Sequence, residues 1–187
     1  MTGLVRKAAA LAACGVMFAA VAFAGVPSPG NSTTPLRINL VGHSIGTGQP
    51  DGAQLFSTVT VTVRDLGNNV IANSSVVIDF SGCVSDTRIG DVQPLAGLTA
   101  NCGTKGVSTL TDIAGVATFT VEGGGIAGAG AHAFGAGKVY ADGVLLGNIN
   151  VGLFDLNGVT GVDGLDLSVF GAALFGTSQA SAATYCP

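Results

Sequence analysis

The sequence predicts an all-β protein, an antiparallel β-sandwich with a short C-terminal loop-and-helix appendage. Three observations carry this. Valine, threonine, glycine and asparagine are abundant while glutamate occurs only at Glu122, a composition that favours strands and turns over helices. Several segments alternate apolar and polar residues with period two. Turn residues punctuate those segments at short intervals.

The chain begins with Arg6 and Lys7, then an uncharged run from Ala8 to Ala24 that closes on Ala22-Phe23-Ala24. A basic start, an apolar centre and a small-x-small close make residues 1–24 a secretory signal peptide. The run is about 17 residues, short for a membrane anchor. Leu11-Ala12-Ala13-Cys14 offers a lipoprotein cleavage box as the alternative, although the residues after Cys14 stay apolar. Cleavage after Ala24 leaves five basic side chains against eleven acidic ones, a net charge of −6, and no transmembrane span. With no cluster of Lys or Arg left, no nucleic-acid partner is expected. The expected location is secreted or at the cell surface, in a bacterium.

Residues 25–35 hold three prolines and no apolar pattern, so they read as an exposed linker. The predicted sandwich covers residues 36–152. Leu36 to Val41 opens it, followed by a polar loop with Gly46, Gly48, Pro50, Asp51 and Gly52. Phe56 to Arg64 is the clearest strand, with Val59, Val61 and Val63 on one face and Thr58, Thr60 and Thr62 on the other. Leu66-Gly67-Asn68-Asn69 is a turn, Val70-Ile71 starts the return, and Val76 to Phe80 places Val76, Ile78 and Phe80 inward with Asp79 outward. Val107 to Leu110 and Val116 to Val121 form a further pair around Thr111-Asp112-Ile113-Ala114-Gly115. A glycine-rich crossing runs from Gly123 to Gly137. Val139 to Leu146 is a hairpin about Asp142-Gly143, a dipeptide suited to a type I′ turn. Ile149 to Val151 adds a last strand.

Export places Cys83, Cys102 and Cys186 in an oxidising compartment. Cys83 follows one strand and Cys102 precedes another, so a bridge between them is expected to staple the intervening loop, contributing on the order of 3 kcal/mol. Cys186 is then a free thiol, an intermolecular partner, or half of a pair whose mate is missing.

The stretches FSTVTVTVRDLGNNVIANSSVVIDF and LTDIAGVATFTV resemble the bacterial immunoglobulin-like domains of the invasin/intimin adhesin group. Gly67-Asn68, Thr111-Asp112, Gly115, Ala117 and Phe119 carry the likeness over about 90 residues. It implies an immunoglobulin-like sandwich and says nothing of activity, because such sandwiches host many functions.

Residues 153–187 hold the densest chemistry. Asp155, Asn157, Asp163 and Asp166 stand at positions 1, 3, 9 and 12 of a twelve-residue loop, with the Gly161 carbonyl at position 7. Hard cations take several oxygen ligands converging from one loop, as the EF-hand supplies them. A solvated Asp/Asn turn capping one helix is the alternative. This segment resembles one repeat of a type I dockerin, matching at Asp155, Asn157, Gly158, Val162, Asp163, Asp166 and Leu167. The resemblance implies a calcium cofactor and a cohesin-like or other protein partner. Val159 and Thr160 replace the usual aspartate and glycine, so weak affinity is expected, about 10⁻⁴ to 10⁻³ M. One repeat stands where dockerins carry two, as in a truncated relative of a longer chain. The helix from Leu165 to Phe175 carries Leu167, Phe170, Ala173 and Leu174 on one face, which must dock on the sandwich, a second repeat or another chain.

Nothing in the sequence marks a catalytic centre, and no enzyme activity is expected. His43 and His132 lie far apart between glycines, Ser44 is not in a nucleophile elbow, and the run from Gly123 to Gly130 opens no helix to cradle phosphate. The expected function is a non-enzymatic binding module with a docking or anchoring segment. The alternative is a carbohydrate-binding accessory module, or part of a glycan-degrading, cellulosome-like system with a cell-surface or polysaccharide ligand. Its weak point is the scarcity of aromatic rings: no tryptophan and two tyrosines, Tyr140 and Tyr185.

Overall fold

The computed structural model describes residues 25–42, 58–83, 87–124, 136–156 and 164–174. The described chain is all-β, with one helix. In order it runs β1 (Arg37–Leu40), β2 (Val59–Thr62), β3 (Ser75–Asp79), β4 (Arg88–Ile89), β5 (Thr99–Asn101), β6 (Gly106–Leu110), β7 (Val116–Phe119), β8 (Gly123–Gly124), β9 (Gly137–Ala141), β10 (Val144–Leu153) and α1 (Gly164–Leu174). Six strands form one sheet in the order β1-β10-β9-β3-β6-β5, and β2-β7 and β4-β8 form two short ladders.

Alternation decides which side chains enter the core. On β3, Val76 and Ile78 are buried, and Phe80 follows them in the same phase. The register sets Val76 opposite Ala141 and Ile78 opposite both Val139 and Val107. Val61, Ala117 and Phe119, from the β2-β7 ladder, join the same buried cluster. Phe80 and Phe119 are among the largest side chains wholly withdrawn from solvent, and each contributes roughly 1.5–3 kcal/mol of apolar burial.

The segment expected to be an exposed linker is instead stitched to the domain. Pro27 and Ser28 are buried. The Ser28 amide donates to the Arg64 carbonyl at 2.7 Å, and Thr33 exchanges two backbone bonds with Thr62 at 2.9 and 3.0 Å. The Asn31 side-chain amide donates to the Asp65 carbonyl at 2.8 Å. The edge of β2 has unpaired backbone groups, and the proline-rich segment satisfies them.

β1 also departs from the expected antiparallel pattern. It pairs parallel with β10, Ile38 opposite Val151 and Leu40 opposite Leu153. Parallel neighbours need a long connection, and here nearly the whole domain lies between them. Val41 then bridges to Glu122, its amide donating to the Val121 carbonyl at 2.9 Å. The same short stretch thus touches both the large sheet and the continuation of β7.

The expected two strands near the C-terminal end of the domain are one ten-residue strand, β10, with a register irregularity between Leu145 and Gly147. Asp142 and Gly143 turn with φ of 47° and 82°, as a type I′ turn requires. β4, β5 and β8 have no alternating signature and were not expected. Gly123 fits β8 because a Cβ there would meet the Arg88 carbonyl oxygen at 2.5 Å. The remainder of the glycine-rich crossing, residues 125–135, lies outside the described residues.

Polar ties close one end of the sheet. The Thr111 hydroxyl accepts from the Ser74 amide at 2.9 Å and donates to the Ile71 carbonyl at 2.7 Å. Asp142 accepts from the Ser74 hydroxyl and the Ser75 amide, both at 2.8 Å. Gly115, at φ 73°, lets its turn sit against Val63 and Val70, where a Cβ would meet both at 2.9 Å. Thr111→Val keeps the shape but strands a buried amide and a buried carbonyl. It is expected to lower stability by about 1–3 kcal/mol, measured as a lower urea midpoint with an unchanged m-value.

Candidate functional site

β10 ends at Leu153, and the chain then passes through Phe154, Asp155 and Leu156. Phe154 is exposed, whereas Asp155 is 0% and Asp166 3% exposed. Asp166 lies in the first turn of α1, where a negative charge is stabilised by the helix N-terminus. Its Oδ1 accepts from the Leu156 amide at 2.7 Å. Positions 1 and 12 of the predicted loop are therefore both withdrawn from water, and the backbone next to the first is hydrogen-bonded to the last.

Carboxylates are seldom fully buried without compensation, because desolvating the charge is costly. Two hard oxygen-donor groups at the two ends of one loop fit a divalent cation such as calcium. Asn157, Gly161 and Asp163 lie outside the described residues. Among the described residues, no group of three or more His, Cys, Asp or Glu is placed to hold a metal. Leu165 and Leu167 of α1 are 60% and 71% exposed, so the face that carries Leu167 is open at that residue.

A second feature lies on the outer face of the large sheet. Val77 and Asp79 of β3, Tyr140 of β9, Gly106 of β6 and the nearby Ser81, Thr104 and Gly143 line an open groove of about 600 Å³. Val77 and Tyr140 are cross-strand partners, as are Asp79 and Lys138. The sequence placed Asp79 outward but held no signal for the groove. Its lining converges from three strands far apart in the chain, and only their register brings them together.

The cysteines differ from expectation. Cys83 is a buried free thiol, and Cys102 is disulfide-bonded, so the expected bridge between them does not form. Cys83 packs with the core beneath β3, inside the hydrophobic cluster rather than at the loop surface. Burial pushes its thiol up to about 11, with Lys105 pulling it down and Asp79 raising it. Asp65 is moved the other way, its carboxyl held low chiefly by the Asn69 amide, which donates to Oδ1 at 2.8 Å. That bond fixes the turn before β3.

His43, Ser44 and His132 lie outside the described residues. Gly123 and Gly124 are strand residues rather than a phosphate-cradling loop. No described helix is long and apolar enough to cross a membrane. No protein-family model, curated protein or solved structure matches the chain.

Cys83 is expected to resist thiol reagents at neutral pH in the native state and to label fully in denaturant, read by mass spectrometry. Its ionisation is harder folded than unfolded, so the stability it contributes is intact below pH 9 and is lost as pH rises toward 11.

Proposed function

We propose that the chain is a secreted or cell-surface, non-enzymatic binding module: an immunoglobulin-like sandwich whose C-terminal segment binds calcium weakly and docks to a protein partner of cohesin-like type. The observation that carries this reading is the buried pair Asp155 and Asp166 at the ends of the loop between β10 and α1. Calcium offsets the desolvation of such a pair, and the remaining loop oxygens complete its shell. Docking is supported by Phe154, Leu165 and Leu167, three apolar side chains that surround the loop ends and remain exposed. Large apolar groups gathered beside a charged loop are the usual makings of a contact surface. The strand and turn motifs around Gly67 and Gly115 support the immunoglobulin-like assignment.

Calcium bound only by the folded chain raises its stability by mass action. At a dissociation constant of about 10⁻⁴ to 10⁻³ M, 10 mM calcium adds roughly 1.4–2.7 kcal/mol, a rise of about 3–10 °C in Tm for a domain of this size. Asp155→Asn with Asp166→Asn retains the hydrogen-bonding shape and removes both charges. Differential scanning calorimetry with calcium and with chelator is expected to show the rise in the parent and none in the double variant. A parent that fails to respond, with no heat in a calcium titration, removes the reading.

The carbohydrate-binding alternative has one supporting feature, the groove in which Tyr140 lies beside Asp79. Sugars bind by stacking on aromatic rings with polar groups at their edge. If that groove takes saccharide, Tyr140→Ala abolishes retention on polysaccharide affinity gels while leaving Tm within about 2 °C, because the ring is not part of the core.

A further inference from the structure

Gly25 lies against Asp65, the acid that opens the turn after β2. A Cβ built on Gly25 would stand 2.7 Å from the Asp65 Cβ and 2.9 Å from its Oδ2, closer than side chains pack, so the approach depends on glycine. Ordinary bond geometry sets the Gly25 nitrogen about 2.5 Å from that Cβ position, and hence within roughly 5.5 Å of Oδ2. The residues that follow hold it there. Pro27 and Ser28 are buried, and the Ser28 amide donates to the Arg64 carbonyl at 2.7 Å.

The Asp65 carboxylate is well supplied with neutral donors. The Asn69 amide donates to Oδ1 at 2.8 Å, and the Asn69 side chain donates to Oδ1 and Oδ2 at 3.3 and 3.2 Å. These bonds favour the charged form and hold the carboxyl low, so Asp65 is ionised at neutral pH. Among the described residues no cation is paired with it. The other charged side chain of this segment, Arg64, donates through Nη1 to the Asn68 carbonyl at 2.8 Å.

We propose that removal of the signal peptide completes this contact: hydrolysis of the Ala24–Gly25 bond creates an α-ammonium that pairs with the Asp65 carboxylate and fastens the start of the mature chain to the turn. Water adds across the peptide bond, its hydroxyl going to the Ala24 carbonyl carbon and its hydrogen to the Gly25 nitrogen. The proton of the new acid passes to the amine. Before the cut, the Gly25 nitrogen is a neutral amide with one N–H. Afterwards it is a cation with three donors, free to turn about the Gly25 Cα–C bond toward Oδ2. A fixed negative charge beside a new positive one thus makes processing part of the folded contact, and the seated ammonium is withheld from enzymes that grip a free chain end. The inference rests on the secreted half of the reading above and on cleavage after Ala24, and is independent of calcium.

Amine labelling tests it. Trypsin releases residues 25–37, which contain no lysine, so acetylation of that peptide reports the α-amine. Only the neutral amine reacts, and an opposite charge within about 4–6 Å favours the ammonium, so the exported protein at pH 7 is expected to label about threefold more slowly than its Asp65→Asn variant. Asparagine keeps an acceptor for the Asn69 amide. A chain produced with Ala24 retained as its first residue leaves the turn untouched and moves the charge one residue away; its α-amine is expected to label as fast as in Asp65→Asn. The difference should fade in 1 M salt, which screens an exposed pair. A first residue other than Gly25 in the exported protein overturns the proposal through its cleavage premise. With Gly25 first, equal rates in parent and Asp65→Asn, or an Ala24-extended chain as slow as the parent, overturn the ion pair while leaving secretion intact.

Discussion

The fold depends on where the N-terminal segment lies. The two-stranded β2-β7 ladder cannot bury its apolar face alone, and the six-stranded sheet needs a second layer over Val76, Ile78 and Val139. Residues 28–41 join the two. Ser28 and Thr33 pair with the β2 edge, Arg37 to Leu40 pair with β10, and Val41 pairs with Glu122. Each contact satisfies backbone groups that would otherwise stand unpaired at a sheet edge, the costliest place to leave them once the core closes. Ile38, Leu40 and Val41 meanwhile enter the core with no solvent exposure. A single extended stretch thus supplies both the seam and part of the filling.

Around that seam the polar groups are arranged by burial. Thr111 and Ser74 sit inside, each satisfied by backbone or by Asp142, and they hold three turns at one end of the large sheet. Asp65 and Asp112 lie at exposed turns, where they accept backbone amides that have no strand partner. These short side chains provide the local hydrogen bonds that set turn geometry. They are structural acids, and the sequence gives no reason to expect catalysis from them. Asp155 and Asp166 are of another kind. Both are buried beyond the end of the sheet, beside exposed apolar residues, and Asp166 accepts the Leu156 amide across the loop.

Period-two alternation was legible for Val59 to Val63, Val76 to Phe80 and Val116 to Val121 because each strand has one face in the core and one in water. Asp142-Gly143 was legible because few dipeptides tolerate positive φ twice in succession. β4, β5 and β8 were not, since strands of two or three residues hold no period. The buried state of Pro27 and Ser28 was equally hidden, for proline-rich segments look alike whether solvated or laid along an edge.

By itself the sequence determined the all-β class, the inward faces of the main strands, the principal turns, and the spacing that sets carboxylates at Asp155 and Asp166. All of these are local, written in residues close along the chain. Tertiary structure decided the parallel pairing of β1 with β10, the groove around Tyr140, the burial of both loop-end carboxylates and the free state of Cys83. Each depends on which distant segments share space, and therefore on packing and desolvation. Cys83 stands near Cys102 in sequence, yet its thiol is free in the core while Cys102 is disulfide-bonded.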